Sequence, residues 1–473
     1  MGLVDLSASA LSGMIAARKV APSEVMAAHL ERVAAVNGSV NAIVSLRDGD
    51  DLMREARQLD DVVPVGWLHG IPFAIKDLVE VAGVRSTHGS PLFADHVPVV
   101  DDLVAARIRA AGAVISGKTN VPEWGQGSHT FNPVFGATVN PYDLSRSAGG
   151  SSGGAAAALA ARMVWVADGS DMMGSLRNPA AFCNVYGFRP SWGLVPPDAG
   201  DEVFLSTLST AGPMGRTVED VARLLAVMAG DNLDVPFGRG GFSGGSQAKL
   251  RGLRIGWLGS WDGSYAMEPG ILPICEAALA DMAAMGAKVE AVAAPFPAED
   301  LWQSWVTLRA MLTAGGKRTL YEDPVSRAQL KPETAWEIEQ GLGLSAADVY
   351  AASQLRSAWF AVLAGLFRQF DLLALPAAQV WPFPVEWRWP AVISGRRMDT
   401  YHRWMEVVVP VSLAGVPALS LPVGFGPSGS GSEGLPMGMQ VFGPVGADAR
   451  VLGAGQAWHL ATDWPGRRRV AML

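Results

Sequence analysis

Residues 149–161 read GGSSGGAAAALAA, a glycine- and serine-rich turn that runs directly into an apolar stretch. The composition of 155–161 is typical of a short buried helix, which Arg162 ends. Ser151 or Ser152 is the expected N-cap of this helix, because a serine hydroxyl can accept a hydrogen bond from a free N–H of the first turn. The stretch therefore predicts a tight turn followed by a buried helix.

Helices alternate with short apolar strands on both sides of this stretch. Helical spacing of apolar residues covers 6–36, with a break at Pro22, and returns at 104–111. Strands are expected at 70–76, 113–115, 253–258, 418–425 and 437–442. We predict an α/β fold with a single large mixed β-sheet core that is covered by helices on both faces.

The length and composition of the chain favour one large domain over 1–473. The chain has 473 residues, of which 49% are hydrophobic and 17% are charged, and this is ample for a large buried core. We expect N-terminal helices at about 5–60, a core at about 65–200, a further region at about 230–410, and C-terminal strands and a helix at about 411–473.

Charge and hydropathy exclude several classes of partner. The net charge is −8 and lysines and arginines do not cluster, so we expect no nucleic-acid partner. No apolar run reaches the roughly 18 residues of a spanning helix, so we expect no membrane partner. Two cysteines, Cys183 and Cys275, are too few for a disulfide framework or a structural zinc site. Without a signal peptide at the N-terminus, the expected location is the cytoplasm.

Two motifs match the sequence pattern of a nucleotide-binding loop or a hydrolase nucleophile elbow, but their neighbouring residues do not fit the structure that each pattern requires. Residues 112–119 (GAVISGKT) match the Walker A pattern, but the four spacer residues are strand-like where the phosphate loop should be. An ATP-dependent enzyme therefore remains only a weak alternative. Residues 149–153 match G-x-S-x-G, but the polar residues 140–148 stand where a nucleophile elbow needs a buried strand.

The histidines do not supply an obvious general base. His88, His96 and His129 fall in turn-rich segments and are expected at the surface, and no metal-ligand spacing such as H-E-x-x-H occurs. We therefore expect no metal, and a reactive serine here need not use histidine as its base.

Five blocks in order along the chain resemble the amidase signature family, serine hydrolases that cleave amide and related carbonyl–nitrogen bonds. The blocks are 70–77 (GIPFAIKD), 117–120 (GKTN), 149–154 (GGSSGG), 171–177 (DMMGSLR) and 187–190 (GFRP). Each block alone is weak evidence, but five in this order, with family-like spacing between Ser151 and Ser175, are specific.

The resemblance implies a Ser–cis-Ser–Lys triad without any cofactor or metal. Ser175 would be the nucleophile, Ser151 the bridging serine after a cis peptide bond, and Lys76 the base. A lysine can act as a base near neutral pH only if burial lowers its pKa. Lys76 closes the apolar run 73–75, which is consistent with such burial.

The resemblance also implies the surroundings of the nucleophile. The oxyanion hole would be formed by the backbone N–H groups of Met172, Met173, Gly174 and Ser175. Gly125, Gln126 and Gly127 would line the site. The family's usual residue in place of Met173 is glycine. If φ at this position were positive, it would strain the methionine, whereas a negative φ would let the side chain shape the pocket.

The resemblance implies that the divergent region at about 230–410 carries the substrate walls. Within it, residues 381–389 (WPFPVEWRW) are the candidate wall, although core or homodimer contact remains open for them. We expect hydrophobic or aromatic small-molecule amides as substrates. Carbamates (urethanes) and esters remain alternatives for the same triad, as urethanases resemble this chain. A further alternative is the A subunit of a transamidating amidotransferase.

Overall fold

Helices and short strands alternate along the computed structural model, which describes residues 2–200, 202–243, 245 and 247–470. The helices are α1 (Ala8–Ala16), α2 (Pro22–Val40), α3 (Gly49–Leu59), α4 (Leu103–Ala110), α5 (Gly153–Ala160), α6 (Arg177–Phe182), α7 (Val218–Met228), α8 (Ile271–Ala284), α9 (Ala298–Glu322), α10 (Pro324–Arg327), α11 (Pro332–Leu342), α12 (Ala346–Leu366), α13 (Val409–Ala414), α14 (Asp448–Thr462) and α15 (Trp464–Arg467). Short 3-10 helices cover Leu3–Asp5, Pro91–Phe93, Glu123–Gly125 and Arg403–Val408.

The strands are mostly short. They are β1 (Ile43–Val44), β2 (Pro72–Lys76), β3 (Val114–Thr119), β4 (Phe131–Asn132), β5 (Gly136–Ala137), β6 (Val139–Asn140), β7 (Asp143–Ser147), β8 (Val166–Asp171), β9 (Tyr186–Arg189), β10 (Thr210–Gly215), β11 (Arg254–Trp257), β12 (Lys288–Ala291), β13 (Leu372–Pro376), β14 (Val392–Ile393), β15 (Arg396–Arg397), β16 (Ala418–Phe425) and β17 (Pro436–Phe442).

The largest sheet has eight strands in the order β12-β11-β13-β17-β16-β9-β10-β8. β11 pairs in parallel with β12 and β13, and the remaining pairs are antiparallel. This mixed sheet confirms the predicted fold class. At its β8 edge, the chain leaves the sheet at Asp171 and continues into Met172–Ser175.

Helices cover both faces of this sheet. Gly438 on β17 approaches Ala181 of α6, and Leu419 on β16 approaches Gly455 of α14. Gly438 pairs with Pro422, so both positions face the same side of the sheet. Leu419 lies three residues before Pro422 on β16 and faces the opposite side, because side chains alternate along a strand. α6 and α14 therefore lie on opposite sides of the sheet, as the sequence predicts.

A separate three-stranded sheet, in the order β1-β3-β2, carries Lys76 at the end of β2. β2 runs parallel to β3, and all its residues are buried. The Lys76 backbone N–H donates to the Asp168 carboxylate on β8 at 2.9 Å, which joins the two sheets at this point. The sequence does not separate this small sheet from the large one.

α5 is buried along its whole length, as the alanine-rich sequence predicts. A Cβ atom on Gly154 would lie 2.3 Å from the backbone nitrogen of Asn120, so only glycine permits this close packing against the end of β3. Ser152 is the N-cap residue, as expected, but the expected side-chain cap is wrong. The hydroxyls of Ser151 and Ser152 both bind Lys76 instead.

The Walker-like stretch forms strand β3, which is longer than the expected strand at 113–115. Lys118 is buried in it, and its ammonium donates to the Ser86 hydroxyl at 3.0 Å and to the Val79 carbonyl. A phosphate loop cannot form from residues that are paired in a sheet, so the structure agrees with the rejection of a nucleotide site. Among the described residues, no helix is long and apolar enough to cross a membrane.

Candidate active site

The amine of Lys76 lies at the centre of three serine hydroxyls. Lys76 Nζ is 2.8 Å from Ser151 Oγ, 2.8 Å from Ser152 Oγ and 3.0 Å from Ser170 Oγ, and the lysine side chain is completely buried. A neutral amine has two N–H donors and one lone pair. The three hydroxyls satisfy either form of the amine: an ammonium donates to all three, and a neutral amine donates to two and accepts a proton from the third.

Burial lowers the pKa of Lys76 from its ordinary 10.5 to about 7, and the negative charges of Asp168 and Asp171 limit the fall. Desolvation disfavours the charged form of an amine in a dry site. Burial also raises the pKa of Asp168 to about 6, although this carboxylate accepts from the Lys76 backbone. A substantial fraction of Lys76 is therefore neutral near pH 7, as a general base requires.

Ser151 lies in the turn between β7 and α5. The Gly150–Ser151 peptide bond is cis, in agreement with the resemblance. Ser128 Oγ donates to the Gly150 carbonyl at 2.6 Å and accepts from the Asn178 amide at 2.9 Å, so the turn is hydrogen-bonded through Ser128 to α6. The tertiary contacts therefore hold the Ser151 hydroxyl against Lys76.

Ser175 lies in the connection from β8 to α6. Its carbonyl accepts from the Ser152 backbone N–H at 3.2 Å, and both Ser151 and Ser175 line one cleft. The preceding Gly174 has a φ of +78°, and a Cβ there would lie 2.9 Å from a methyl of Val408. Glycine is therefore required to turn the chain immediately before Ser175.

The four expected oxyanion donors are not equivalent. The Gly174 N–H donates to Asp171 Oδ1 at 2.9 Å and is therefore already engaged. The N–H groups of Met172, Met173 and Ser175 have no acceptor among the described residues. Three free N–H donors beside Ser175 are available to a negative charge that develops there, whereas the Gly174 N–H is engaged by Asp171.

Met173 is unstrained. It is absent from the described non-glycine residues with positive φ, and its side chain is buried against the core while also lining the cleft. The residue at this position therefore forms part of the wall beside Ser175 without a backbone penalty.

Asp171 braces the loop that carries Ser175. Its carboxylate accepts from the backbone N–H groups of Gly174 and Leu176, and from Arg177 and Arg189. All three charged side chains are completely buried, so these ion pairs are shielded from solvent. The two guanidinium groups hold the pKa of Asp171 well below its usual range despite its burial.

Arg177 extends this bracing to the C-terminal part of the chain. Its guanidinium donates to Gln440 Oε1 at 2.6 Å, to the Val408 carbonyl at 3.1 Å and to the Ser412 hydroxyl at 2.7 Å. The loop that carries Ser175 is therefore fixed by β17 and α13, which lie far from it in sequence.

We expect Asp171→Ala to lower the free energy of unfolding by about 3–5 kcal/mol, because Arg177 and Arg189 would stay buried without a counter-charge. Urea denaturation followed by circular dichroism measures this. Glu219→Ala, which breaks the exposed pair with Arg223, is the control and should cost far less. A loss of less than about 1 kcal/mol in Asp171→Ala would contradict this account of the loop.

The residues expected to line the site do so. Gly125, Gln126 and Gly127 all border the cleft, and a Cβ on Gly125 would lie 3.4 Å from Ser151 Oγ. The Gln126 side chain is not free for substrate, because its amide donates to Glu337 Oε2 at 2.9 Å and its oxygen accepts from Thr334.

The walls of the cleft combine apolar and polar side chains. The apolar part consists of Leu78, Trp124, Met172, Met173 and Met405. The polar part consists of Ser209, Arg309, Thr313 and Lys317, the last three from α9. Sequence reasoning missed the α9 residues, although their regular spacing of four in a long helix was a usable signal. It also missed Ser152 and Ser170, which only their contacts with Lys76 reveal.

The aromatic segment 381–389 does not line the cleft, so this hypothesis is wrong. Trp381, Phe383 and Trp387 line a separate groove, and Trp389 borders another hollow with Tyr401. The physical reason is pairing with β7: the Phe383 carbonyl accepts from Ser147, and Val385 donates to Ser145. These backbone bonds hold the segment away from Ser175.

None of the described histidines lines the cleft that holds Ser151 and Ser175. His129 is buried, contrary to expectation, because its ring nitrogens bind Ser147 Oγ at 2.8 Å and the Val385 carbonyl at 2.9 Å. His88 and His96 both bind the Glu80 carboxylate, at 2.7 and 2.8 Å. Within the described ranges, no group of three or more His, Cys, Asp or Glu side chains could hold a metal ion.

Comparison with known proteins agrees with this geometry. The family described as Amidase matches residues 24–452. The glutamyl-tRNA(Gln) amidotransferase A subunit from Moorella thermoacetica is 33% identical over 99% of this chain and 99% of that protein. The acylamidase from Rhodococcus erythropolis is 31% identical over 99% of this chain and 98% of that protein.

A solved structure of this family has the same fold as this chain. A bacterial aryl acylamidase of the amidase signature enzymes superposes with a TM-score of 0.91 at 28% identity, over 98% of each chain. This chain belongs to the amidase signature family, and it is an amide-hydrolysing enzyme.

Proposed function

We propose that this enzyme cleaves amides through a triad of Ser175, Ser151 and Lys76. The observation that carries the proposal is the buried Lys76 amine, 2.8 Å from Ser151 Oγ and with its pKa lowered to about 7, in the same cleft as Ser175. A serine hydroxyl is a weak nucleophile until a neighbouring base takes its proton. The relay through Ser151 would supply that base without histidine.

In the first half-reaction, Ser175 Oγ attacks the carbonyl carbon and its proton passes to Ser151 Oγ. The Ser151 proton passes at the same time to the neutral amine of Lys76. The N–H groups of Met172, Met173 and Ser175 hold the tetrahedral oxyanion. When the C–N bond breaks, the proton on Lys76 returns through Ser151 to the leaving nitrogen.

In the second half-reaction, water attacks the acyl group on Ser175. The same relay takes the water proton and returns a proton to Ser175 Oγ as the ester bond breaks, so that the carboxylic acid leaves and the enzyme is restored. Ser152 and Ser170 act as positioning residues, because they occupy the two N–H donors of the neutral Lys76 and leave its lone pair for Ser151.

The proposed substrates are amides with an apolar or aromatic group. Five apolar side chains of the cleft support this choice, and so does the similarity to an acylamidase and an aryl acylamidase. Methionine side chains are flexible and polarisable, so Met172, Met173 and Met405 can adapt to different apolar groups. Carbamates and esters present a carbonyl to the same nucleophile and stay within the proposal as alternative substrates.

The direct test is labelling with a fluorophosphonate probe, followed by mass spectrometry to locate the adduct and by kinetics on a panel of anilides, esters and carbamates. The proposal expects the adduct on Ser175 and turnover of anilides. An adduct on another serine, or turnover that survives saturation of Ser175 by the probe, would contradict it.

We expect Met173→Gly to change the ratio of kcat/KM between anilides and aliphatic amides by about tenfold, because a wall of the acyl or aryl pocket is removed. Met173→Leu, which keeps the volume, should retain the native ratio. Thermal unfolding of both variants checks that the fold persists. An unchanged ratio in a folded Met173→Gly protein would show that this side chain does not select substrates.

A second candidate is the role of the amidotransferase relatives, which the similarity to the glutamyl-tRNA(Gln) amidotransferase from Moorella thermoacetica favours. Such a role needs glutamine as the amide and a partner protein. The purified chain should then leave anilides intact, because its amide substrate would be glutamine. Anilide turnover by the chain alone, without glutamine turnover, supports the amidase role instead.

A further inference from the structure

One face of α9 forms a wall of the cleft and is not used by the proposed mechanism. Arg309, Thr313 and Lys317 recur at intervals of four residues, and all three line the cleft. Side chains at this spacing lie above one another on one helix face. They form a polar track that leads away from Met172, whose sulfur is 3.4 Å from the Arg309 guanidinium.

The charge of Arg309 is balanced within the protein. Its guanidinium donates to Glu337 Oε1 at 2.5 Å and to the Tyr401 hydroxyl at 2.9 Å, and Tyr401 in turn donates to Glu337 at 2.9 Å. All three side chains are buried, and Arg309 holds the pKa of Glu337 below its usual range despite the burial. This network is closed, so Arg309 has its counter-ion without a substrate.

The charge of Lys317 is not balanced in this way. Its ammonium has no hydrogen-bond acceptor and no ion-pair partner among the described residues, and it lies 5.3 Å from the centroid of the Trp124 ring. No aspartate or glutamate of the described chain lines the cleft. Burial lowers the pKa of Lys317; Glu337 and Glu123 partly offset this, and Arg309 adds to it.

An unpaired cation in a partly dry cleft is costly, and a substrate anion would remove that cost. Trp124, over whose ring the ammonium lies, also lines the cleft and makes this part of its wall apolar. The reacting centre is at Ser175, so the anion belongs to the part of the substrate away from the scissile bond.

We propose that Lys317 binds a carboxylate of the substrate, so that the preferred substrates are apolar or aryl amides that carry a carboxylate away from the scissile bond. This inference rests on the proposed function of the same cleft. Thr313, one helical turn closer to Arg309, supplies a hydroxyl that can donate to the second carboxylate oxygen.

Matched substrate pairs test the inference. N-succinyl-4-nitroaniline is compared with N-butyryl-4-nitroaniline, and N-acetyl-4-aminobenzoate with acetanilide, so that the carboxylate is placed first on the acyl side and then on the amine side. We expect kcat/KM to favour the carboxylate by about tenfold or more in one of the pairs. Lys317→Met should reduce this ratio to about one, whereas Lys317→Arg should keep most of it.

Arg318→Met is the matched control, because it removes one positive charge from the next residue of α9, whose side chain is exposed and pairs with Glu322. This variant should keep the native ratio, which excludes a general effect of net charge. The inference is overturned if neither pair shows a preference for the carboxylate, or if Lys317→Met retains the preference. Failure of the proposed function would look different: both members of a pair would be inert, or Ser175→Ala would still cleave them.

Discussion

Ser175→Ala should abolish amide hydrolysis, with a loss in kcat of about 10⁴-fold or more, because the acyl-enzyme can no longer form. The Ser175 side chain is small and faces the cleft, so the variant should unfold at the same temperature as the native protein. Steady-state kinetics on an anilide measure the loss, and the fluorophosphonate probe should leave the variant unlabelled.

Ser357→Ala is a suitable control, because Ser357 lies exposed on α12 and bonds only to the Ser353 carbonyl within its own helix. This control should retain native kinetics and native labelling. If Ser175→Ala kept more than about a hundredth of the native kcat, another residue would have to be the nucleophile.

Lys76→Met should reduce kcat/KM by about 10²–10⁴-fold, because the proton relay through Ser151 would lose its final acceptor. Methionine has a similar volume and no charge, so the buried site remains filled. Lys76→Arg should be equally inactive, since a guanidinium stays protonated and cannot accept a proton. Lys19→Met, at an exposed lysine, should have no effect.

The same lysine predicts the pH dependence of the native enzyme. The base must be neutral, and its pKa is lowered to about 7, so kcat/KM should rise as the pH increases through about 7 and then level off. Below about pH 6, Lys76 is mostly protonated and activity should fall about tenfold per pH unit. A flat profile between about pH 6 and about pH 8 would mean that Lys76 is not the titrating base.

Much of the fold could be predicted from local sequence patterns. The strands β2, β16 and β17 agree with their expected positions to within two residues, because continuous apolar runs bounded by turns are typical of buried strands. We propose that 1–473 form one domain, since the largest hydrophobic cluster includes residues from Ala8 to Trp458. The separation of β1–β3 from the large sheet was not predictable, because strand pairing depends on distant segments.

The sequence alone determined which residues are candidates for the chemistry: glycines next to serines mark the turns, and an apolar run that ends in Lys76 marks a buried strand end. These are local properties of the chain. Only the tertiary structure decided the environment of those residues. It gathers Ser151, Ser152 and Ser170 around one buried amine, turns the segment 381–389 away from the cleft and brings Lys317 of α9 to its edge. The physical reason is that desolvation, hydrogen-bond partners and unpaired charge arise from segments far apart in sequence, so no local pattern encodes them.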